Sequence, residues 1–151
     1  MLDRLLDFFG VQAEEETPVA RESRIQHATA VLLVEIARAD YERDQAEDAA
    51  MLDTLRNAFK ISPEEAETLL AHAETAAENA VSLHEFTSVL HAELSYAEKE
   101  QVVEMLWQIA LADLNVDKYE DYMIGKIAEL LYVARGDVIR IRNRVYEALD
   151  Q

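Results

Sequence analysis

The stretch "IARADYERDQAED", residues 36–48, ends an apolar pattern with five acidic residues, and "IALADLNVDKYED", residues 109–121, repeats most of it 73 positions later. In both copies the apolar residues before the acidic motif recur every three or four positions, the spacing of one helix face. They are Ile25, Ala28, Leu32, Ile36 and Ala39 in the first copy, and Val102, Leu106, Ile109 and Ala112 in the second.

A second apolar pattern follows each acidic motif. Leu52, Leu55 and Phe59 correspond to Ile124, Ile127 and Leu131, with a shift of 72 instead of 73. The sequence therefore predicts a helix–loop–helix unit that is used twice. Such duplicated pairs commonly pack about a pseudo-twofold axis, which brings equivalent loops into related positions.

The composition fits an all-α domain, because three Gly and two Pro in 151 residues leave little material for tight turns. Cysteine is absent, which excludes disulfides and thiolate metal sites. Capping boxes mark helix starts at Asp44 with Glu47, Ser62 with Glu65, Ser82 with Glu85, Ser95 with Glu98, and Asp117 with Glu120. We predict a bundle of about seven helices, at roughly 21–40, 45–60, 63–79, 83–94, 96–113, 118–132 and 135–149.

Residues 1–20 form a separate region before the helical domain of residues 21–151. Leu2, Leu5, Leu6 and Phe9 predict a short amphipathic helix, and an acidic tether containing Pro18 follows it. This helix could dock on its own domain, on a partner or on a membrane. Because Arg4 is its only basic residue, the membrane is the least favoured of the three.

The net charge of the chain limits the kinds of molecule that it can bind. Lys and Arg number 14 against 31 Asp and Glu, which gives a formal charge of −17. Such a surface repels nucleic acids and anionic lipids, and it favours cations and basic proteins. The longest apolar stretches fall short of the roughly 20 residues of a membrane span, and an export signal is not recognisable. We therefore expect a cytoplasmic protein that binds no nucleic acid.

The acidic loops have two interpretations. In the first, Asp44, Glu47, Asp117 and Glu120 only cap helices. That interpretation leaves out Asp40 and Asp113, which lie at the carboxyl ends of the preceding helices, where the helix dipole disfavours an anion. A bound cation would relieve that cost.

The second interpretation is metal binding. Counted from its first Asp, each loop places oxygen donors at positions 1, 3 and 5, as a calcium-binding EF-hand does. The rest of that motif is missing, since position 6 is Gln45 or Lys118 and position 12 is Met51 or Ile124. Hard oxygen donors favour Ca²⁺, Mg²⁺ or Mn²⁺. The candidate ligands are Asp40, Glu42, Asp44, Glu47, Asp113, Asn115, Asp117 and Glu120.

Longer stretches of the sequence resemble a known family. They are "AVLLVEIARAD" (30–40), "ISPEEAETLLAHAE" (61–74) and "LHEFTSVLHAELSYAEKEQVVEMLWQIALADLNVDKYEDYMIGKIAELLYV" (83–133). Together with the repeated A-D-x-x-x-D-x-x-E, they resemble the TerB-like family of tellurite resistance proteins, to which the N-terminal domain of the DjlA co-chaperone is related. The resemblance implies about seven helices with internal pseudo-symmetry, a metal-binding role for the acidic loops, and a bacterial setting linked to stress. The chain departs from the family pattern at Tyr41 and Leu114, where the loops usually have Gly, and at Ala134, where the last helix usually has a Ser or Thr cap.

Four histidines and three serines are further candidate site residues. His27, His72, His84 and His91 lack a third zinc ligand nearby, so we interpret them as structural. Ser62, Ser82 and Ser95 serve as caps and lie in no G-x-S-x-G motif. The aromatic residues and methionines of the C-terminal half, among them Trp107 and Tyr122, are expected mostly in the core.

The basic stretch "ARGDVIRIRNR" (134–144) is expected to form internal salt bridges, with binding to a second copy as the alternative. We expect a non-enzymatic module that binds a divalent cation through its two acidic loops. The alternative is a co-chaperone-type interaction module whose acidic face recruits a basic protein.

Overall fold

A computed structural model describes residues 16–39, 45–112, 116 and 118–150, and the side chains of residues 45–48 are not described. In this part of the chain every regular element is a helix. The seven helices are α1 (Pro18–Arg38), α2 (Gln45–Phe59), α3 (Pro63–Asn79), α4 (His84–Glu93), α5 (Tyr96–Ala110), α6 (Lys118–Leu130) and α7 (Arg135–Leu149). The all-α prediction is confirmed, and most helix ends lie within three residues of their expected positions.

Helix starts follow the sequence signals with two exceptions. Ser62 and Ser95 form complete capping boxes, each exchanging hydrogen bonds with the Glu three residues later. The box expected at Ser82 is wrong, because Leu83 occupies the cap position of α4 in a helical conformation and makes no side-chain cap. Helix α1 starts at Pro18, earlier than expected, because the Thr17 hydroxyl accepts the Ala20 amide at 3.0 Å. Asp44 and Asp117 lie outside the described residues.

The internal repeat is larger than a helix–loop–helix unit. Helix α1 packs on α2 and α3, and in the same way α5 packs on α6 and α7. The third helix of each unit packs on the second, as α3 does on α2 and α7 on α6. The units also exchange contacts, since α1 packs on α6 and α5 packs on α2. The fold therefore consists of two three-helix units joined by α4, and their packing is reciprocal, as a pseudo-twofold axis requires.

The turn between the second and third helix of each unit confirms the repeat at the level of the backbone. Lys60 and Tyr132, which are 72 positions apart, both have left-handed conformations, with φ of 53° and 62°. The next amide in each copy donates across the turn, from Ile61 to Arg56 O at 3.3 Å and from Val133 to Ala128 O at 2.9 Å. This is a Schellman helix end in both copies, with a non-glycine residue in the left-handed position.

The central pair of helices, α1 and α5, is more deeply buried than the sequence pattern predicts. A stripe on one face was expected, yet all residues from Ala28 to Val34 are buried. The reason is that α1 packs against five helices, α2 to α6. In α5 the buried residues are Lys99, Val102, Val103, Met105, Leu106, Trp107, Ile109 and Ala110.

The start of α7 replaces a missing cap with a side chain from another helix. Ala134 holds the cap position and has no hydroxyl. Instead, the Tyr96 hydroxyl accepts the Ala134 amide at 3.0 Å and donates to Asp137 Oδ2 at 2.5 Å. Asp137 is the third residue of α7, so the tyrosine bridges the two groups that a capping box joins directly. This hydrogen bond lowers the pKa of Asp137 and raises the pKa of Tyr96.

The left-handed turns predict a difference between two glycine substitutions. Lys60→Gly removes the steric cost of the left-handed conformation, and we expect a gain in unfolding free energy of roughly 0.5–1 kcal/mol. Tyr132→Gly should gain less, because the Tyr132 ring stacks on His91 with centroids 4.6 Å apart. Urea unfolding of both variants measures the difference. A loss of stability in Lys60→Gly would contradict the assigned backbone conformation.

The tyrosine bridge predicts a change in the pH dependence of stability. A carboxyl group with a lowered folded pKa stabilises the fold above its unfolded pKa of about 3.9, and this contribution disappears as the pH falls through the folded value. Tyr96→Phe removes the main cause of the shift at Asp137. We expect the variant to lose stability at pH 7 and to differ less from the parent below pH 3. Tyr146→Phe, a change at a similarly exposed tyrosine of α7, is the control and should leave the urea midpoint unchanged at both pH values.

Candidate functional site

Both acidic segments leave the same side of the bundle. Arg21, near the start of α1, bonds Glu93 at the end of α4, with Nε 2.8 Å from Oε2 and Nη2 3.0 Å from the carbonyl oxygen. Helix α5 begins only three residues after Glu93, so the amino ends of α1 and α5 lie together. These two helices also pack against each other. They therefore run in the same general direction, and their carboxyl ends, where the acidic segments begin, face the same side.

The helices that follow the acidic segments connect the two repeats. Helix α2 returns from the first segment and packs on α5, and α6 returns from the second and packs on α1. Val116, inside the second segment, is partly buried and packs against the core. The helix ends that flank the two acidic segments thus lie on one side of the bundle.

Glu120 is the predicted ligand whose side chain the structure describes. It lies in the first turn of α6 and is fully buried, with 0% of its surface exposed. The remaining predicted ligands, Asp40, Glu42, Asp44, Asp113, Asn115 and Asp117, lie outside the described residues, as does the side chain of Glu47.

The burial of Glu120 separates it from the ordinary capping glutamates. Glu65 and Glu98 complete capping boxes at the start of α3 and α5, and both are exposed. A carboxylate that only caps a helix does not need to leave water. Burying an ionised carboxylate costs several kcal/mol unless hydrogen-bond donors or a cation compensate it. Glu120 is therefore placed where positive charge or several donors must surround it.

Another carboxylate, which is only partly buried, lies near the end of α1. Glu35 lies in the last turn of α1, before the first acidic segment, and 22% of its side chain is exposed. Burial raises the pKa of Glu35, and the Arg38 guanidinium, 3.6 Å away, opposes that shift. The carboxyl end of α1 already carries partial negative charge from its backbone. This end of the bundle thus holds anionic groups at a cost in stability.

Histidines do not build a metal site in the described part of the chain, where no three His, Asp or Glu residues lie close enough to hold an ion. His91 Nδ1 lies 2.5 Å from Nζ of the buried Lys99, and His27 packs beside Phe86 with ring centroids 6.4 Å apart. These contacts support the structural interpretation of both histidines.

The basic stretch of α7 is bound to the body of the domain. Arg140 bonds Glu100 at 2.5 Å and Asp137 at 3.3 Å, and Arg144 lies 3.5 Å from Glu104. The expected internal salt bridges are confirmed for these two arginines. Arg142 instead stacks over the Trp107 ring at 5.7 Å from its centroid, a contact that the sequence analysis missed.

The expectation of a mostly buried aromatic cluster is wrong for the tyrosines. Trp107 and Met105 are buried, but Tyr119 and Tyr122 are each 64% exposed. Tyr132 and Tyr146 are also exposed. The reason is the helical phase of α6, which buries Glu120, Ile124 and Ile127 and turns its tyrosines outward.

The fold and the duplicated acidic segments have a match among protein families. A family model described as "Tellurite resistance protein TerB" matches residues 26–143. The chain belongs to the TerB family. The match covers both acidic segments and all of α2 to α6, so the resemblance noted in the sequence is confirmed. Comparison with curated proteins and with solved structures gives no match.

The TerB fold of this chain does not provide a membrane span in its described residues. None of the helices formed by residues 18–38, 45–110 and 118–149 is both long and apolar enough to cross a bilayer.

The environment of Glu35 predicts that neutralising it stabilises the protein. A carboxyl group with a raised folded pKa destabilises the fold above that pKa, and the penalty disappears below the unfolded value of about 4.3. We expect Glu35→Gln to unfold at higher urea concentration than the parent at pH 7. The gain should shrink as the pH is lowered towards 4. An equal gain at all pH values would show that packing, rather than charge, is responsible.

Proposed function

We propose that this TerB domain is a non-enzymatic stress-response module that binds a divalent cation between its two acidic segments. The ligands would come from Asp40, Glu42, Asp44 and Glu47 in the first segment, and from Asp113, Asn115, Asp117 and Glu120 in the second. The observation that carries the proposal is the complete burial of Glu120 at the side of the bundle where both segments begin. A carboxylate in that position gains from a cation that it can contact directly.

The chemistry of the donors fits Ca²⁺, Mg²⁺ or Mn²⁺. All eight candidate ligands offer carboxylate or amide oxygens, which hard cations prefer. When bound, the ion would supply positive charge and cross-link the two repeats. The residues of the chain would hold it, exclude water around Glu120, and keep the first Asp of each segment beside the carboxyl end of a helix.

Direct binding of tellurite to this surface is disfavoured. The chain carries a formal charge of −17, which repels anions over roughly one Debye length of about 8 Å in physiological salt. A role in tellurite resistance would therefore act through the cation or through a protein partner.

The competing proposal is an interaction module in which the loops only cap helices and the acidic surface recruits a basic protein. The charge of −17 is compatible with it. The two proposals differ in one respect that can be measured, which is whether a divalent cation stabilises the native state.

The experiment is thermal and urea unfolding of the full chain, first with excess chelator and then with Ca²⁺, Mg²⁺ or Mn²⁺. An ion bound to the native state raises the unfolding free energy by about 2.7 kcal/mol at 100 times its Kd. We expect such a rise for at least one ion in the parent. It should vanish in the variant that combines Asp40→Asn, Asp44→Asn, Asp113→Asn and Asp117→Asn, and it should be weakened in Glu120→Gln.

The matched control is Asp121→Asn. It removes the same charge one position further along α6, where the side chain is exposed, and it should retain the full response to the ion. A parent chain that shows no ion-dependent change would favour the interaction module. If Asp121→Asn weakens the response to the ion as much as Glu120→Gln does, the loss of one negative charge explains the effect and a specific site does not.

A further inference from the structure

One of two equivalent grooves between the repeats is open. Helices α2 and α5 form a groove of about 780 Å³. Apolar side chains along it are Ala49, Ala50, Phe59, Met105, Ala112 and Leu149. Leu149, the last residue of α7, is 44% exposed there. The other residues that line the groove are Ala58 and the polar residues Asp53, Thr54, Asn57, Lys60, Gln101, Glu104 and Gln108. The groove therefore offers apolar positions along α2 within a lining that is half polar.

The pseudo-twofold relation identifies the counterpart of this groove. It exchanges α2 with α6 and α5 with α1, so the equivalent groove lies between α1 and α6. Helix α4 packs on both of these helices. Its residues Phe86, Thr87 and Leu90 are buried there, and Leu83 packs against the core. One groove is thus filled by a short helix, and its counterpart is not filled by any of the residues that the structure describes.

The chain has a segment in the position that would fill the open groove. Helix α4 immediately precedes α5, the first helix of the second repeat. The segment that precedes α1, the first helix of the first repeat, is the amphipathic stretch Leu2–Phe9. Its apolar residues 2, 5, 6 and 9 have the same spacing as residues 83, 86, 87 and 90 of the α4 region.

We propose that residues 2–9 dock as a short helix in the groove between α2 and α5. There they repeat the role of α4 on the opposite side of the pseudo-twofold axis. By their spacing, Leu5, Leu6 and Phe9 would be the counterparts of Phe86, Thr87 and Leu90 in this docking, and Asp3 and Asp7 would fall on the other face of the segment.

The length of the intervening chain allows this docking. The amino end of α1 lies beside the carboxyl end of α4 and close to the start of α5. The open groove extends along α5 from Gln101, so one of its ends is near the same corner. Glu16 and Thr17 are held at the start of α1, where Glu16 accepts bonds from Arg24 and Thr17 caps the helix. The six residues from Gly10 to Glu15 remain as the linker, and they span up to about 20 Å when extended. An isolated two-turn helix is marginal in water, so the groove would also stabilise the helical form.

Paramagnetic broadening tests the proposal in the full chain, which has no native cysteine to interfere with labelling. Asn57→Cys carries a nitroxide at the edge of the open groove, where Asn57 is exposed. Glu129→Cys carries the same label at the equivalent position of the other repeat, 72 residues later, where the side chain is also exposed. We expect amide signals of residues 2–9 to lose most of their intensity with the label at 57 and to keep it with the label at 129.

Equal intensities with both labels would overturn the proposal. Docking on a second copy of the chain is distinguished from docking within one chain by a mixed sample. It contains spin-labelled chain together with isotope-labelled chain that carries no spin label. Broadening of the signals of residues 2–9 in this mixture would assign the groove to a partner copy and overturn intramolecular docking.

A second measurement does not depend on labels. Leu5→Ser combined with Phe9→Ser should lower the urea midpoint of unfolding, and Ala58→Arg, which obstructs the groove at an exposed position, should lower it by a similar amount. The two changes together should add little to either alone, because both release the same segment. Asp3→Ser combined with Asp7→Ser is the matched control and should leave the midpoint unchanged. Full additivity of the apolar and groove changes would overturn the proposal.

Discussion

The packing of α1 against α5 constrains the rest of the structure. Helix α1 is buried on all sides from Ala28 to Val34, and α5 buries most of its second half while leaving Gln101 exposed. A helical segment that is apolar all round is stable in water only when other helices surround it. Two such helices side by side require neighbours on both flanks, and the exchanged contacts of α2 with α5 and of α6 with α1 provide them. Because α1 and α5 start at the same corner, the segments that follow them emerge on the same side. The common direction of the carboxyl ends of α1 and α5 is thus a consequence of core packing.

The two repeats share the same backbone turns, but they differ in the side chains that cap their third helices. The left-handed turns at Lys60 and Tyr132 are retained, since they direct the third helix back onto the first. The cap of that third helix is not retained. Ser62 caps α3 with its own hydroxyl, whereas α7 uses the hydroxyl of Tyr96 from another helix. A cap borrowed from α5 also ties α7 to the centre of the fold, beside the salt bridge of Arg140 with Glu100.

Much of the fold could be predicted from sequence because helix boundaries depend on local chemistry. Ser62 and Ser95 cap their helices through residues three positions away, and the repeat is visible as a register. The sequence predictions fail where contacts between distant parts of the chain determine the structure. Leu83 starts α4 although Ser82 had the better cap signal, and the tyrosines of α6 face outward because Glu120 takes the inward position. A glutamate at the third position of a helix has the same pattern whether it is a surface cap or a buried ligand. How deeply the glutamate is buried depends on helices that are distant in sequence, so the sequence pattern could not predict its burial.

The helix dipoles also act differently on the first and on the later acidic residues of each segment. The amino ends of α2 and α6 carry partial positive charge, which favours the acids at and after Asp44 and Asp117. The carboxyl ends of α1 and α5 carry partial negative charge, which disfavours Asp40 and Asp113. Helix dipoles can therefore compensate the later acids of each segment but not the first. A cation that stabilises the fold gains most where it contacts the first Asp of a segment together with the buried carboxylate of Glu120. If cations only screened the surface charge, their effect on stability would not differ between the first and the later acidic residues of a segment. An ion bound at a site would affect these positions differently.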